Sequence, residues 1–260
     1  MSAGRFEGLT VLVTGATGGF GRRAAERFAE AGARLVLSDI HQAKLDACAA
    51  TLGRDTATLA GDIADESLSQ QLVALAVERF GRLDIALNNA GIVHGFTKLA
   101  SIPSEDARRV IDVDLMGVFY AMKHQLPQME AQFRATGKGG AIVNIASAAG
   151  IGGAPRMSVY AAAKHGVVGL TRSAAAESAT KGVRVNAVCP SYARTDMAMS
   201  FVTLHGGAEA EALAELTRGV PMKRVAEVDE VVEVILFAAD PKNSFMTGHS
   251  LSVDGGIAAI

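Results

Sequence analysis

The sequence predicts a doubly wound α/β fold: one parallel sheet of about seven strands with helices on both faces. Two observations carry this prediction. Short β-branched runs alternate with amphipathic stretches along nearly the whole chain. A glycine-rich turn follows the first run and opens the first helical stretch. Such alternation implies right-handed crossovers between parallel strands, because each helix must pack back onto the sheet.

The elements follow in order. TVLVT (10–14), RLVLS (34–38), TATLA (56–60), DIALN (84–88), AIVNI (141–145) and RVNAV (184–188) read as buried strands, with LSV (251–253) as the last. Helices are expected near 20–31, 42–52, 66–80, 105–134, 158–181 and 227–239. Segment 192–220 breaks the rhythm and is rich in Met, Ala, Gly and Glu. It follows the carboxyl end of a strand, where a lid or substrate loop would sit. No Pro/Ser-rich linker, repeat or low-complexity stretch divides the chain, so one domain over 1–260 is expected, with that insertion at about 192–220.

A chain of 260 residues can bury a substantial core. Its 25 basic and 27 acidic residues nearly balance, without a basic stripe, so nucleic acid is not an expected partner. MSAGRFEGLTVLVTG has no apolar core of a signal peptide, and no run of about 18 apolar residues marks a membrane span. A cytoplasmic location is therefore expected. Cys48 and Cys189 lack metal-ligand spacing and read as small buried hydrophobes. The six histidines show no such spacing either, and no metal is expected.

The turn TGATGGFG (14–21) has the context of a dinucleotide site. Gly15, Gly19 and Gly21 let the backbone approach a pyrophosphate, with Thr17 and Phe20 beside them, and the helix N-terminus favours its charge. Asp39 ends the second strand, eighteen residues after Gly21. Its carboxylate suits ribose hydroxyls and repels a 2′-phosphate. Ile40 and His41 follow it, with no adjacent Arg or Lys, so NAD is expected over NADP. The plainer role for Asp39 is a helix N-cap.

Tyr160 and Lys164, in SVYAAAKHG, lie one helical turn apart on one face. At roughly 4 Å and an effective dielectric of about 20, the ammonium would favour a tyrosinate by about 4 kcal/mol. That corresponds to roughly three pKa units below a free tyrosine near 10. Such a phenol can serve as acid or base near neutral pH.

These motifs, with NNAG (88–91), RVNAVCPSYARTDM (184–197) and GHSLSVDGG (248–256), resemble the short-chain dehydrogenase/reductase family over nearly the whole chain. Thr14, Gly15, Gly19 and Gly21 resemble its T-G-x-x-x-G-x-G turn. Gly15, Gly18 and Gly21 also fit the T-G-x-x-G-x-x-G turn of the longer, extended relatives, which NNAG, VDGG and the chain length disfavour. The resemblance implies a Rossmann-type fold and hydride transfer between NAD and a secondary alcohol or ketone. It implies Tyr160 as general acid/base, Lys164 as its electrostatic partner and ribose ligand, and Ser147 as the hydrogen bond to the substrate oxygen.

It further places Asp62 and Ile63 near the adenine. Asn88, Asn89, Ala90 and Gly91 would line the cofactor cleft, together with Ile40 and Pro190. Thr195 would meet the nicotinamide carboxamide, its plainer role being an N-cap. Ser147, Ala148, Tyr160 and Tyr192 would face the substrate. Val93, Ile151, Gly152, Met197, Met199, Phe201 and Leu204 add an apolar lining, which points to an apolar alcohol or ketone; Arg156 and His94 are polar exceptions.

Two positions depart from the family pattern. Asp114, in DVDLMG, stands where the family often has a catalytic asparagine, which alters charge and donor capacity. Pro190-Ser191 replaces the usual Pro-Gly, and Ser191 is expected in a conformation open to L-residues. The resemblance also implies a homo-oligomer, tetramer or dimer, through the helices near 105–134 and 158–181. The apolar tail GGIAAI hints at burial, within the chain or against another subunit. The competing functional class is a catalytically silent dinucleotide-binding or redox-sensing module.

Overall fold

The apolar runs form the seven strands of one sheet in a computed structural model, which describes residues 4–53, 55–199 and 209–260. The strands are β1 (Thr10–Thr14), β2 (Arg34–Ser38), β3 (Thr56–Thr58), β4 (Ile85–Asn88), β5 (Gly140–Ile145), β6 (Val183–Pro190) and β7 (Ser250–Val253). Their order is β3-β2-β1-β4-β5-β6-β7, and every pairing is parallel. This is the doubly wound Rossmann arrangement. Chain order reverses between β1 and β4, which leaves a crevice at the carboxyl ends of the strands.

The helices are α1 (Gly19–Glu30), α2 (Gln42–Leu52), α3 (Glu66–Phe80), α4 (Ser104–Ile111), α5 (Gly117–Thr136), α6 (Ser158–Ser178), α7 (Glu209–Leu216) and α8 (Val228–Ala239). They divide between the two faces, and so does the core. Val11 and Val13 pack with Phe28, Leu45 and Ile235 on one side. Leu12 packs with Leu72, Met122 and Val167 on the other. Alternate residues of one strand thus serve two cores, which is why the strands read as continuous apolar runs. Each large side chain fully buried in this way contributes about 1.5–3 kcal/mol.

Local signals explain the ends of α3. Asp65 accepts the Ser67 amide at its start, and Gly81 closes it in the left-handed conformation at φ 79°. The single helix expected over 105–134 is instead interrupted. Asp112–Met116 forms a π turn between α4 and α5. The apolar spacing runs through it without a breaker, so periodicity alone cannot show the wider turn.

Within 192–220, α7 is a regular helix that the irregular composition did not announce. Phe201 and Leu204, expected to face the substrate, lie outside the described residues. Ile260, expected to be buried, is 90% exposed in the single chain. Among the described residues, no helix is long and apolar enough to cross a membrane, and no cluster of His, Cys, Asp or Glu could hold a metal.

Candidate active site

A cleft of about 1000 Å³ runs along the carboxyl ends of β1, β4, β5 and β6. One end is the glycine turn. A side chain on Gly21 would place its Cβ 2.1 Å from the Gly15 carbonyl oxygen, so the helix start can approach the strand end only as glycine. Gly19 takes φ +50°, whereas Gly18 has open space around it and φ −146°. The constrained glycines are therefore those of the T-G-x-x-x-G-x-G reading, and position 18 carries no such demand. Asn89 pins this turn by donating to the carbonyls of Thr14 and Gly15 at 3.0 and 3.1 Å.

Asp39 faces the turn and not a helix end. One carboxylate oxygen accepts the Thr17 amide at 3.0 Å and the Thr17 hydroxyl at 2.7 Å. The other accepts the Ile40 amide at 2.7 Å. The helix that follows is capped from His41 without a side-chain bond, so the N-cap alternative for Asp39 fails. Asp62 and Ile63 line the same end of the cleft. Asp62 is paired at 2.8 Å with Arg109, which α4 brings across from a distant part of the sequence. Arg109 and Lys44 both line the cleft. Both escaped the sequence reading: Lys44 lies one helical turn past His41, and nothing local marks Arg109.

Asn88 does not line the cleft. It was expected to line the cleft with Asn89, but its side chain points into the opposite core. There it exchanges hydrogen bonds with Gln125 at 3.1 and 2.8 Å and donates to Asn144 at 2.9 Å. Asn144 in turn donates to Thr171 at 2.9 Å. Successive strand residues face opposite ways, so two adjacent asparagines cannot share a wall. Ala90 and Gly91 do line the cleft.

Further along, β5 delivers Ser147 and α6 presents Tyr160 and Lys164. Ser147 accepts the Ala149 amide at 3.1 Å, so it caps a short 3-10 turn as well as meeting Tyr160. Its hydroxyl donates to the Pro190 carbonyl at 3.4 Å, and its nearness to the Tyr160 phenol favours the phenol's anion. Lys164 is buried, donates to the Ile145 carbonyl at 3.0 Å and stands 5.5 Å from the Tyr160 ring centre. Its ammonium also lies 3.1 Å from Asp114. Asp114, fully buried on the π turn, accepts the Ile92 amide at 2.8 Å through its other oxygen. Four residues expected at the site therefore do converge.

Their electrostatics differ from the simple pair. Burial pushes the Tyr160 phenol above its ordinary value; Lys164 and Ser147 pull it down, while Asp114 opposes them. The expectation that Lys164 alone would bring the phenol down by several units is not met among the protein's own groups. The reason is first the burial of the phenol, and then the carboxylate beside the lysine, which adds to the upward push. Burial lowers Lys164, but Asp114, Tyr160 and Cys189 together more than offset this and hold it above its usual value. Burial likewise raises Asp114 against the pull of Lys164.

The far end of the cleft is mostly apolar, with Val93, Ala148, Ile151, Tyr192 and Met197 in its wall. The Arg156 guanidinium is engaged by the Phe96 carbonyl at 2.9 Å, and the Arg156 carbonyl accepts the Thr97 amide at 3.0 Å. His94 is buried and its Nδ1 meets the Gly95 carbonyl at 2.7 Å. Both expected polar exceptions thus have backbone partners. Pro190 lines the cleft, and Ser191 avoids the left-handed region, as expected. Thr195 lines the cleft and also receives the Ala198 amide at 3.4 Å, so its cleft and capping roles coexist.

A parallel crevice with a glycine cradle and this serine–tyrosine–lysine wall is the layout of a dinucleotide-dependent oxidoreductase. The chain belongs to the short-chain dehydrogenase/reductase family. A family model described as enoyl-(acyl carrier protein) reductase matches residues 15–258. An uncharacterized oxidoreductase of Thermotoga maritima is 39% identical over 98% of this chain and 99% of its own length. Cyclohexanol dehydrogenase of an Acinetobacter species is 38% identical over 96% of this chain and 95% of its own. Among solved structures, levodione reductase is similar at a TM-score of 0.92 and 35% identity, covering 98% of this chain and 100% of that one. A 3-ketoacyl-(acyl-carrier-protein) reductase of Brucella melitensis complexed with NADH has a TM-score of 0.89 at 30% identity, covering 97% and 99%. ElxO with NADP bound has 0.88 at 29%, with the same coverage.

Proposed function

We propose that the protein is an NAD-dependent oxidoreductase that interconverts a largely apolar secondary alcohol and its ketone. The observation that carries this reading is the convergence of Ser147, Tyr160 and Lys164 on one wall of a cleft that begins at a glycine cradle. The cofactor, when bound, supplies the hydride acceptor or donor. Ser147 hydrogen-bonds the substrate oxygen, and Tyr160 takes the hydroxyl proton in oxidation or returns it in reduction. Lys164 supplies the positive charge that stabilises the phenolate.

Asp39 supports NAD over NADP, because a carboxylate at the ribose end repels a 2′-phosphate. Lys44, exposed on the same side, is the group that would counter it. The apolar far wall fits an uncharged substrate, and the cyclohexanol dehydrogenase and levodione reductase relatives favour a cyclic alcohol or ketone. We place the whole chain in one cofactor-binding domain, with the insertion at about 192–220 as its substrate loop. A homo-oligomer would bury the α5 face, where Phe119 is 38% exposed.

The test is reduction of NAD and NADP across a panel of cyclic, aryl and linear secondary alcohols, with Tyr160→Phe as control. Turnover with NAD, falling about 10²–10⁴-fold in the variant, is the expected result. Cofactor binding without turnover anywhere in the panel would favour a silent binding module instead.

A further inference from the structure

We propose that Asp114 is the counter-ion of Lys164 and ties the protonation of Tyr160 to the charge state of the bound cofactor. The proposal rests on the functional reading above and deepens it. Asp114 acts through Lys164, so it is a positioning residue.

The geometry comes first. The π turn at Asp112–Met116 brings Asp114 into the wall between β4 and α6, where it is fully buried. One carboxylate oxygen accepts the Ile92 amide at 2.8 Å, and the other lies 3.1 Å from the Lys164 ammonium as an ion pair. Gly91 packs closely beside them, since a Cβ there would stand 3.1 Å from the carboxylate and 3.3 Å from the ammonium. An asparagine could not reproduce this pairing. It has one acceptor oxygen, and whichever way it turned, its NH₂ would face a donor.

Charge counting gives the consequence. The groups that act on Tyr160 are Lys164 on its own helix, Asp114 on the π turn, Ser147 after β5 and Cys189 on β6. Cys189 is a neutral buried thiol, raised to about 11 by its burial. The set therefore holds one positive and one negative charge while the phenol keeps its proton. Ionising Tyr160 would leave a buried net negative charge, which burial disfavours. With a carboxamide at 114, the same set starts positive, and ionisation neutralises it.

An oxidised nicotinamide adds one positive charge to the cleft, whereas a reduced one adds none. Tyr160 in this chain thus gives up its proton beside the oxidised cofactor and keeps it beside the reduced one. The phenol is a base when the alcohol is to be oxidised and an acid when the ketone is to be reduced. In a site with an uncharged residue at 114, lysine alone would already favour the phenolate.

The experiment is an NMR titration of protein labelled at tyrosine Cζ. The chain has three tyrosines, and the Tyr160 signal is the one lost in Tyr160→Phe. Without cofactor, the parent phenol is expected to ionise above its ordinary value of about 10. In Asp114→Asn its midpoint falls by about one unit or more. In the parent, NAD lowers the midpoint and NADH does not. A parent midpoint below the ordinary value without cofactor, or an unchanged midpoint in Asp114→Asn, overturns the proposal. Should Asp114→Asn fail to fold, equal midpoints with NAD and NADH in the parent overturn it instead.

These readouts need no substrate. Shifts without turnover on any alcohol would strike the proposed reaction and leave the coupling standing. Tyr160-dependent turnover without shifts would strike the coupling alone.

Discussion

Asp39 and Thr17 are joined twice, through the threonine amide at 3.0 Å and its hydroxyl at 2.7 Å, by a single carboxylate oxygen. The residue that would read the ribose therefore also shapes the loop that would cradle the pyrophosphate. Asp39→Ala removes both effects. Hydrogen bonds to a charged group are worth about 1.5–3 kcal/mol, so NAD affinity should fall ten- to a hundred-fold. NADP affinity should fall less or rise, and Lys44→Ala in the same background should reverse any gain. Calorimetric titration with both cofactors checks this, and equal losses for both would contradict the role given to Asp39.

Gly91 abuts the Asp114–Lys164 pair. Gly91→Ala forces a methyl group to 3.1 Å from the carboxylate and 3.3 Å from the ammonium. Overpacking of this kind costs about 1–3 kcal/mol. The melting temperature should drop by about 2–4 °C for each kcal/mol, and turnover should fall with it. Thermal unfolding and steady-state kinetics on the same sample give both values.

Asn88 and Asn89 should separate cleanly. Asn88→Ala leaves buried groups of Gln125 and Asn144 without their partner. Each such orphan costs about 1–3 kcal/mol, read by urea denaturation, while cofactor affinity is retained. Asn89→Ala frees the glycine turn from β4 and should weaken cofactor binding with a smaller loss of stability.

Cys189 lies beside Ser147 yet should be chemically quiet. Burial raises its thiol to about 11, with the Ser147 amide and the nearby Lys164 and Arg172 charges only partly offsetting this. A raised value means the protonated, unreactive form dominates below it, so at pH 8 roughly one molecule in a thousand carries the thiolate. Iodoacetamide should leave Cys189 unmodified in the folded protein and modify it after unfolding, as mass spectrometry can show. Rapid native labelling would mean the β6 end opens.

The strands were legible because residues such as Leu12 and Val13 serve two cores and leave no polar face to confuse the pattern. Helix α3 was legible because its composition and both ends agree, through Asp65 and Gly81. The π turn at Asp112–Met116 was not, since it changes hydrogen-bond partners without changing residue types. At the site, Tyr160 and Lys164 could be found from their spacing, and Ser147 from the family resemblance. Arg109 could not, because only the packing of α4 brings it to Asp62. The upward push on Tyr160 was not legible for a related reason: it comes first from burial, and the sequence shows neither how deeply the phenol is buried nor that Asp114 stands 3.1 Å from Lys164.

The buried amides have one more consequence. The strands of this sheet are apolar on both faces, so sliding β4 past β5 would exchange one greasy neighbour for another at little cost. Asn88 and Asn144 are directly aligned in the β4–β5 ladder and hydrogen-bond each other there, with Gln125 and Thr171 completing the chain. A slip would strand several of these amide groups at once in a dry interior. They act as an alignment key: hydrophobicity assembles the sheet, and a few polar atoms admit a single setting of its central strands.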